Sequence, residues 1–269
     1  MRGRVLIVAG SDSGGGAGIQ ADIKTVTALG GYAATAISAL TAQNTLGVNG
    51  IHDIPADFVA LQMRLVLDDI GADCIKIGML HRPDVVAAVC DVLDGLSNRV
   101  PVVVDPVMIA KGGDSLLTAE AMSAVKARLI PLATVATPNL PEAAALAGIA
   151  SVDPAELAQA VLALGPDAVL VKGGHGVGAT VVDLLVGGHR PAVRFASERI
   201  ETPHTHGTGC TLASAIATGL AQGMDLAAAV GRARAYVVEA IRTAPGFGHG
   251  HGPLNHAHTV AAFTGERRS

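Results

Sequence analysis

The chain of 269 residues is 50% hydrophobic and 2% aromatic, and it carries a formal net charge of -4 at pH 7. A chain of this length and hydrophobic content can bury a sizeable core, so we expect a single domain over residues 1–269. The acidic balance and the scarcity of aromatic rings argue against a nucleic-acid partner, because such a surface needs basic patches and stacking side chains.

The first apolar run and the cysteines bear on the location of the protein. The run VLIVAG is short and no small-residue cleavage pattern follows it, so we expect neither a secretory signal nor a transmembrane helix. Cys74, Cys90 and Cys210 are widely spaced and odd in number, which fits a reduced compartment better than a disulfide framework. The sequence therefore predicts a cytoplasmic protein without a membrane contact.

Five short β-branched runs are typical of strands buried on both faces of a sheet. They are RVLIVAG at 4–10, CIKIG at 74–78, VPVVVD at 100–105, ATVAT at 133–137 and AVLVKG at 168–173. Amphipathic segments between them, such as Pro83–Leu93 and Thr118–Leu129, are long enough to cross over as helices. This alternation predicts a parallel sheet covered on both sides.

After residue 172 the pattern changes. Runs at 178–188 and 191–197 are separated by a Gly-Gly-His-Arg turn, which predicts an antiparallel hairpin at a sheet edge. Two alanine-rich helices are predicted to close the fold, the first over Thr208–Gln222 and the second from about Asp225 to Arg242, with Asp225 as N-cap.

A glycine-rich loop at residues 10–18 follows the first strand, at the sheet edge where open parallel sheets bind ligands. The loop lacks the Gly-Lys-Ser/Thr ending of a P-loop. Asp22 comes too early, and inside the helix, to be the acid of a dinucleotide fingerprint, which disfavours a nucleotide-dependent dehydrogenase. The glycines between Gly14 and Gly18 exceed the needs of a turn, so we expect close approach of a small ligand; a plain strand-to-helix turn is the alternative.

The stretch HTHGTGC at 204–210 opens the first alanine-rich helix. Gly207, Thr208 and Gly209 leave backbone N–H groups bare at the helix start, and such groups stabilise the charge of a phosphoryl group in transfer. Cys210 lies in the first helical turn, where the helix dipole is expected to lower the pKa of its thiol. The alternative is a cysteine that only fills the core.

Seven segments carry a resemblance that spans nearly the whole chain: GSDSGGGAGIQADIKT, TAQNTLGV, KIGML, DPVM, TPNLPEA, VKGGH and THGTGCTLASAIA. Together they resemble the hydroxymethylpyrimidine and hydroxymethylpyrimidine phosphate kinases of thiamine biosynthesis, a branch of the ribokinase-like superfamily. The resemblance implies a three-layer α/β/α sandwich with a mostly parallel central sheet and an antiparallel edge hairpin. It also implies ATP, Mg²⁺, a small pyrimidine substrate phosphorylated in two steps, and a homodimer.

The resemblance assigns Cys210 to the catalytic position. Its thiol would accept or orient the substrate hydroxyl, while the backbone amides of Gly207, Thr208, Gly209 and Cys210 hold the phosphoryl group in flight. A modest base is sufficient, because phosphoryl transfer relies mainly on positioning and charge stabilisation.

The resemblance assigns Gln43 to pyrimidine recognition, because its amide offers a donor and an acceptor to the amino group and ring nitrogen. A solvated glutamine at a strand end is the alternative. Other positions assigned to the substrate pocket are Gly10, Asp22, Met79 and Val107. Met79 and Val107 could instead be core residues, and Asp22 could be a first-turn charge favoured by the helix dipole.

Further positions are assigned to the nucleotide and the metal. Asp105 and Glu142 would organise Mg²⁺, which prefers oxygen ligands. Lys172 would contact the nucleotide phosphates, and Thr137, Asn139 and His206 are also placed at the nucleotide. Asn139 could cap a helix as well, and His206 could cap its loop.

Two features depart from the family pattern or stay open. Ser13 and Gly14 stand where the family more often has proline and serine, so no role is assigned to a hydroxyl there. The tail GFGHGHGPLNHAH is rich in histidine; we expect it to fold near the site, with metal binding as the alternative.

Two other functions remain open on the same fold. A pyridoxal kinase also phosphorylates a hydroxymethyl group on an aromatic nitrogen ring, although Gln43 favours the exocyclic amine of an aminopyrimidine. A non-catalytic pyrimidine-binding protein is less favoured, because it would be expected to lose Cys210, Lys172 or the Gly-Thr-Gly turn.

Overall fold

A computed structural model describes residues 2–108, 117–176, 178–187 and 190–261. Within these residues nine strands form one sheet in the order β3-β2-β1-β4-β5-β6-β7-β8-β9. The strands are β1 (Arg4–Asp12), β2 (Tyr32–Gln43), β3 (Val48–Asp53), β4 (Cys74–Ile77), β5 (Val102–Val104), β6 (Val135–Ala136), β7 (Ala168–Val171), β8 (Thr180–Gly187) and β9 (Arg190–Glu198).

The centre of the sheet is parallel and both edges are antiparallel. Strands β2, β1, β4, β5, β6 and β7 run in the same direction, whereas β3 opposes β2, and β8 and β9 form a hairpin beside β7. Every residue of β4, β5 and β7 is buried, as expected for strands covered on both faces. The predicted parallel sheet and edge hairpin are confirmed, although Gly188 and His189 of the predicted turn lie outside the described residues.

Two strands were missing from the predicted set. β2 is rich in alanine and threonine and only partly buried, and β3 is an exposed edge strand. Neither has a run of large β-branched side chains, so local composition does not identify them. Pairing with β1 makes β2 a strand, because eight of its residues align with β1 along a parallel ladder.

Helices cover both faces of the sheet. They are α1 (Gly18–Ala28), α2 (Ala56–Asp69), α3 (Pro83–Asp94), α4 (Ala119–Ala124), α5 (Leu140–Ala147), α6 (Pro154–Leu162), α7 (Thr208–Ala221) and α8 (Leu226–Arg242). Side chains of α1, α7 and α8 share one core with the sheet, and those of α2 to α6 share the other. The predicted three-layer α/β/α sandwich is thereby confirmed.

The predicted helix limits are close to the observed ones, with one exception. Asp225 caps α8 through its side chain, as predicted, by accepting the N–H of Ala228. The helix predicted to run from Thr118 to Leu129 is α-helical only to Ala124, and Val125–Leu129 form a π-helical turn. Among the described helices, none is long and apolar enough to cross a membrane.

Candidate active site

A cavity of about 750 Å³ opens at the carboxyl ends of the parallel strands. Its volume lies within the range of small-molecule sites. Thirteen of the predicted site residues line it: Gly10, Gln43, Met79, Asp105, Val107, Asn139, Glu142, Lys172, His206, Gly207, Thr208, Gly209 and Cys210. Residues from distant parts of the sequence therefore meet at one edge of the sheet.

The glycine-rich loop packs against the start of α7. Gly207 has φ +83°, and a Cβ there would overlap the carbonyl oxygen of Gly16. A Cβ on Gly16 would in turn overlap the ring of His206. Gly16 and Gly207 therefore make room for protein atoms, and the expectation that the glycine-rich loop serves the close approach of a ligand is wrong at Gly16.

The glycine-rich loop at residues 10–18, which includes Asp12, forms what we call the loop cluster together with Gln43 and His206. His206 Nε2 lies 2.9 Å from Asp12 Oδ2 and 3.2 Å from Gln43 Nε2. The Asp12 carboxylate also accepts the N–H groups of Gly14, Gly16 and Ala17. Burial raises the pKa of Asp12, but these hydrogen bonds outweigh burial and the net pKa is below its ordinary value. His206 therefore lies beside Gln43, the predicted pyrimidine-binding residue, and its contact with the nucleotide stays a prediction.

Asp12 was not among the predicted site residues. It ends the first strand in the quoted segment GSDSGGG, so its place at the carboxyl end of β1 was the available signal. Its role depends on a partner 194 residues away, which a single sequence does not reveal.

Asp105, Glu142 and Lys172 form a second group, which we call the lysine cluster. Lys172 Nζ lies 2.8 Å from Asp105 Oδ1 and 3.8 Å from Glu142 Oε2. Burial lowers the pKa of Lys172, but the two carboxylates outweigh it and raise the net pKa above its ordinary value. Burial raises the pKa of Glu142, and Lys172 opposes that effect. The cluster therefore combines a charged ammonium with carboxylate oxygens on the cavity wall.

The start of α5 supports the lysine cluster. Asn139 Oδ1 accepts the N–H of Glu142 at 2.9 Å, and Glu142 Oε2 accepts the N–H of Asn139 at 2.7 Å. This reciprocal pair is a capping box. The helix-capping interpretation of Asn139 is confirmed, whereas its contact with a nucleotide stays a prediction.

The first turn of α7 touches both clusters. Gly207 packs on the glycine-rich loop, while a Cβ on Gly209 would lie 3.2 Å from Asp105 Oδ2 and 3.3 Å from Lys172 Nζ. Thr208 donates its N–H to the carbonyl of Thr205 at 3.3 Å. Within the described chain the amides of Gly209 and Cys210 have no backbone acceptor, which leaves both available to an anion.

The thiol of Cys210 is not acidic. Burial raises its pKa to about 12, and the nearby ammonium of Lys76 lowers it only in part. The prediction that the helix dipole lowers the pKa of Cys210 is therefore wrong, because the cost of burying a thiolate is the larger effect. Cys210 is a neutral thiol at pH 7.

Two predicted site residues lie behind the cavity wall. Asp22 is fully buried, where it pairs with Lys76 at 2.8 Å and accepts the hydroxyl of Ser214 at 2.7 Å. Thr137 is also fully buried, and its hydroxyl donates to Asp105 Oδ1 at 3.3 Å. Neither side chain faces the cavity. The predictions that Asp22 contacts the substrate and that Thr137 contacts the nucleotide are therefore corrected, and both residues support the cavity wall from behind.

The histidine-rich tail folds against the loop cluster. His206 forms a backbone bridge with Pro253, and His251 reaches the cavity lining. A Cβ on Gly16 would lie 3.2 Å from Pro253 Cβ. In the part of the chain that the structure describes, no three His, Cys, Asp or Glu side chains converge as a metal site would require. The tail therefore forms one wall of the site.

Charged residues that the sequence motifs did not indicate hold the loop after β7. Asp183 Oδ1 accepts the N–H of Gly173 at 2.7 Å, and Asp183 Oδ2 pairs with Arg234 Nε at 2.8 Å. Arg199 donates to three carbonyls of the same loop, those of Gly174, Gly176 and Gly178. These contacts fix the backbone next to Lys172.

The family comparison matches residues 12–255 to phosphomethylpyrimidine kinase. The chain belongs to this family. It is 49% identical over 259 residues to the hydroxymethylpyrimidine/phosphomethylpyrimidine kinase of Rhizobium meliloti, covering 94% of this chain and 96% of that protein. It is 52% identical over 258 residues to the thiamine biosynthesis bifunctional protein ThiED of Geobacter sulfurreducens, with 95% of this chain covered. The chain spans about half the length of that bifunctional relative, at 52%.

Solved structures share the fold of the kinase. The ADP complex of Bacillus subtilis pyridoxal kinase aligns with a TM-score of 0.86 at 35% identity, covering 96% of this chain and 98% of that one. Phosphomethylpyrimidine kinase from Clostridium difficile aligns with a TM-score of 0.77 at 40% identity, covering 88% of this chain and 99% of that one. The predicted ribokinase-like fold and kinase family are thus confirmed.

Proposed function

We propose that this kinase uses ATP to phosphorylate 4-amino-5-hydroxymethyl-2-methylpyrimidine and then its monophosphate, the two phosphorylations of the thiamine pathway. One observation carries the proposal. The first turn of α7 contacts the loop cluster through Gly207 and the lysine cluster through Gly209, within one cavity. A phosphoryl group at the free amides of α7 is thereby placed between a site for the pyrimidine and a site for the phosphates.

The loop cluster supplies the pyrimidine site. Gln43 presents its amide at the carboxyl end of β2, and His206 and Thr41 contact that amide at 3.2 and 3.1 Å. Met79 and Val107 belong to a small apolar group beside it and would cover the faces of a flat ring. The contacts to His206 and Thr41 restrict the Gln43 rotamer, which favours recognition of one ring orientation.

The start of α7 supplies stabilisation of the transferring group. The free amides of Gly209 and Cys210 and the helix dipole would act on the charge of the phosphoryl oxygens. Because Cys210 is neutral at pH 7, its thiol orients the substrate hydroxyl rather than removing its proton. Orientation is sufficient, since positioning dominates phosphoryl transfer.

The lysine cluster supplies the nucleotide and metal site. Lys172 would contact the phosphates of ATP, and the carboxylates of Asp105 and Glu142 would hold Mg²⁺. The donor set fits, because Mg²⁺ takes one or two carboxylates together with substrate phosphates and water. When bound, the ion would neutralise charge on the phosphates.

The remaining expectations rest on the family resemblance. We propose that residues 1–269 form a single kinase domain, that two copies form a homodimer, and that the protein acts in the cytoplasm. Size-exclusion chromatography with light scattering tests the dimer.

A coupled ATP-consumption assay with Mg²⁺ tests the function. Hydroxymethylpyrimidine, its monophosphate and pyridoxal are offered in parallel, and the products are identified by mass. We expect turnover of both pyrimidines. The variant Cys210→Ala should keep the KM for both substrates while kcat falls by about 100-fold or more. An unchanged kcat would show that Cys210 only fills the core and does not orient the substrate.

The pyridoxal arm tests the second candidate function, which the likeness to the Bacillus subtilis pyridoxal kinase supports. Turnover of pyridoxal alone would replace the proposed substrate and remove Gln43 as a specificity residue. Turnover of all three compounds would make the protein a kinase of both ring types.

A further inference from the structure

Lys76, on the central strand β4, has no role in the proposal above. Its side chain is 0% exposed and lies directly beneath the cavity floor. The ammonium occupies space left by Gly78, because a Cβ on that residue would lie 2.9 Å from Nζ. A lysine at the centre of a sheet is costly to bury unless its charge is paired, so its presence requires a physical reason.

The Lys76 ammonium donates one of its three N–H groups to a carboxylate, and the other two have no acceptor among the described residues. Lys76 Nζ donates to Asp22 Oδ2 at 2.8 Å, and Asp22 Oδ1 accepts the hydroxyl of Ser214 at 2.7 Å. Among the described residues no second acceptor contacts Nζ. Ser214 follows Cys210 by one helical turn on α7, so the ion pair lies under the start of that helix.

The charge of Lys76 is retained and acts on the active site. Burial lowers the pKa of Lys76, but the carboxylate of Asp22, together with that of Asp105, opposes burial and the net pKa is raised. In return, Lys76 lowers the pKa of the Cys210 thiol, whereas burial and the carboxylates of Asp22 and Asp105 raise it. The ammonium of the Lys76–Asp22 ion pair therefore lies below the point where α7 begins.

We propose that Lys76 is a positioning residue of the phosphoryl transfer, acting through Cys210 and the first turn of α7, with Asp22 holding it from behind. The inference rests on the proposed function. During transfer the bond from the γ-phosphorus to the β-phosphate oxygen breaks, the bond to the substrate oxygen forms, and the hydroxyl proton leaves to solvent. Lys76 keeps its own proton, and its charge stabilises the negative charge that gathers at the start of α7.

A double variant separates this role from a purely structural one. Lys76→Met removes the charge and leaves Asp22 buried without its partner, so both stability and kcat should fall. Adding Asp22→Asn removes the unpaired charge while keeping the bond to Ser214, so the melting temperature should recover. We expect kcat in the double variant to stay about 100-fold below the native protein, with the KM for ATP changed less than about threefold. Recovery of kcat together with stability would overturn the proposal.

The control variant is Ser214→Ala, which removes one contact of Asp22 without changing any charge. Its kcat should stay within about threefold of the native value, because the ammonium keeps its place. A 100-fold loss in this control would mean that packing under α7, and not the charge of Lys76, determines the rate.

A second measurement does not depend on turnover. Iodoacetamide alkylation of Cys210, followed by mass spectrometry at pH 8.5, reports the thiolate fraction, with buried Cys74 and Cys90 as internal references. Alkylation of Cys210 should slow by about tenfold in Lys76→Met, and by less in the double variant, which also removes the Asp22 charge that raises the pKa of Cys210. An unchanged alkylation rate in Lys76→Met would contradict the proposed electrostatic effect of Lys76 on Cys210. If the native protein phosphorylates neither pyrimidine, the proposed function fails while this measurement still tests Lys76.

Discussion

The loop cluster and the lysine cluster lie in one cavity but are built in different ways. The loop cluster depends on close backbone packing, because Gly16 and Gly207 leave no space for a side chain. The lysine cluster depends on charge, since one ammonium faces two carboxylates. We therefore expect shape changes to damage the first and charge changes to damage the second.

This difference matches the chemistry that each cluster is proposed to serve. A flat, neutral ring is selected by shape and by a few hydrogen bonds, whereas a triphosphate with its metal is bound chiefly by charge. The start of α7 joins the two, because Gly207 and Gly209 are two residues apart and each contacts one cluster.

The largest effect is expected from Gly207→Ala. The φ of +83° disfavours a side chain, and the added Cβ would overlap the carbonyl oxygen of Gly16. We expect a loss of about 4 kcal/mol or more in the free energy of unfolding, measured by urea denaturation. The matched control is Gly223→Ala, which has the same φ of +83° but no atom within 4 Å of the added Cβ. It should cost only about 1 kcal/mol. Equal losses in the two variants would show that backbone strain, and not packing against Gly16, sets the cost.

Acid should loosen the loop cluster through the tail. His256 Nδ1 lies 3.1 Å from Tyr236 Oη, and burial lowers the pKa of His256 to about 4. The folded protein holds this histidine neutral, whereas the unfolded chain protonates it near pH 6.5. Its contribution to the free energy of unfolding is therefore fully present above pH 6.5 and is lost progressively as the pH falls to about 4. The free energy of unfolding should fall by up to about 3 kcal/mol over that interval.

The variant His256→Gln should flatten this decline, measured as the urea midpoint between pH 7 and pH 4. Pyrimidine binding should weaken before nucleotide binding as the pH falls, because the tail packs on the loop cluster through Pro253 and His206. An identical pH slope in the native protein and the variant would exclude His256 as the titrating group.

Removing the cation should damage the lysine cluster. Lys172→Met removes the ammonium that faces Asp105 and Glu142, so the phosphates of ATP would meet two carboxyl groups without a neighbouring positive charge. We expect kcat/KM for ATP to fall by about 100-fold, measured in the coupled assay. The matched control is Lys24→Met at the other cluster, where an exposed ammonium donates to the carbonyl of Gly15 at 2.8 Å. A loss of less than about threefold is expected there, and comparable losses would contradict the contrast between the clusters.

The smallest effect is expected at the pyrimidine site. Gln43→Leu removes the amide that His206 and Thr41 contact. The KM for hydroxymethylpyrimidine should rise by about tenfold, while the KM for ATP stays unchanged. Pyridoxal is the matched substrate, because it has no exocyclic amine and should lose less. An equal rise for both rings would assign Gln43 to general packing.

The sequence alone determined the parallel sheet, the edge hairpin, the two final helices and the family. These follow from local patterns, because buried strands are continuous apolar runs and helix starts carry a recognisable cap such as Asp225. Thirteen of the residues that the motifs indicated line the cavity.

Three further features depend on the packed fold: the second strand, the acidity of the Cys210 thiol and the residues behind the cavity wall. β2 is a strand because it pairs with β1, and Cys210 is neutral because the fold buries it. Lys76 lies 54 positions from Asp22 in the chain, so their ion pair becomes visible only when β4 and α1 pack together. Burial and long-range pairing depend on the whole fold, and no local pattern of residues specifies them.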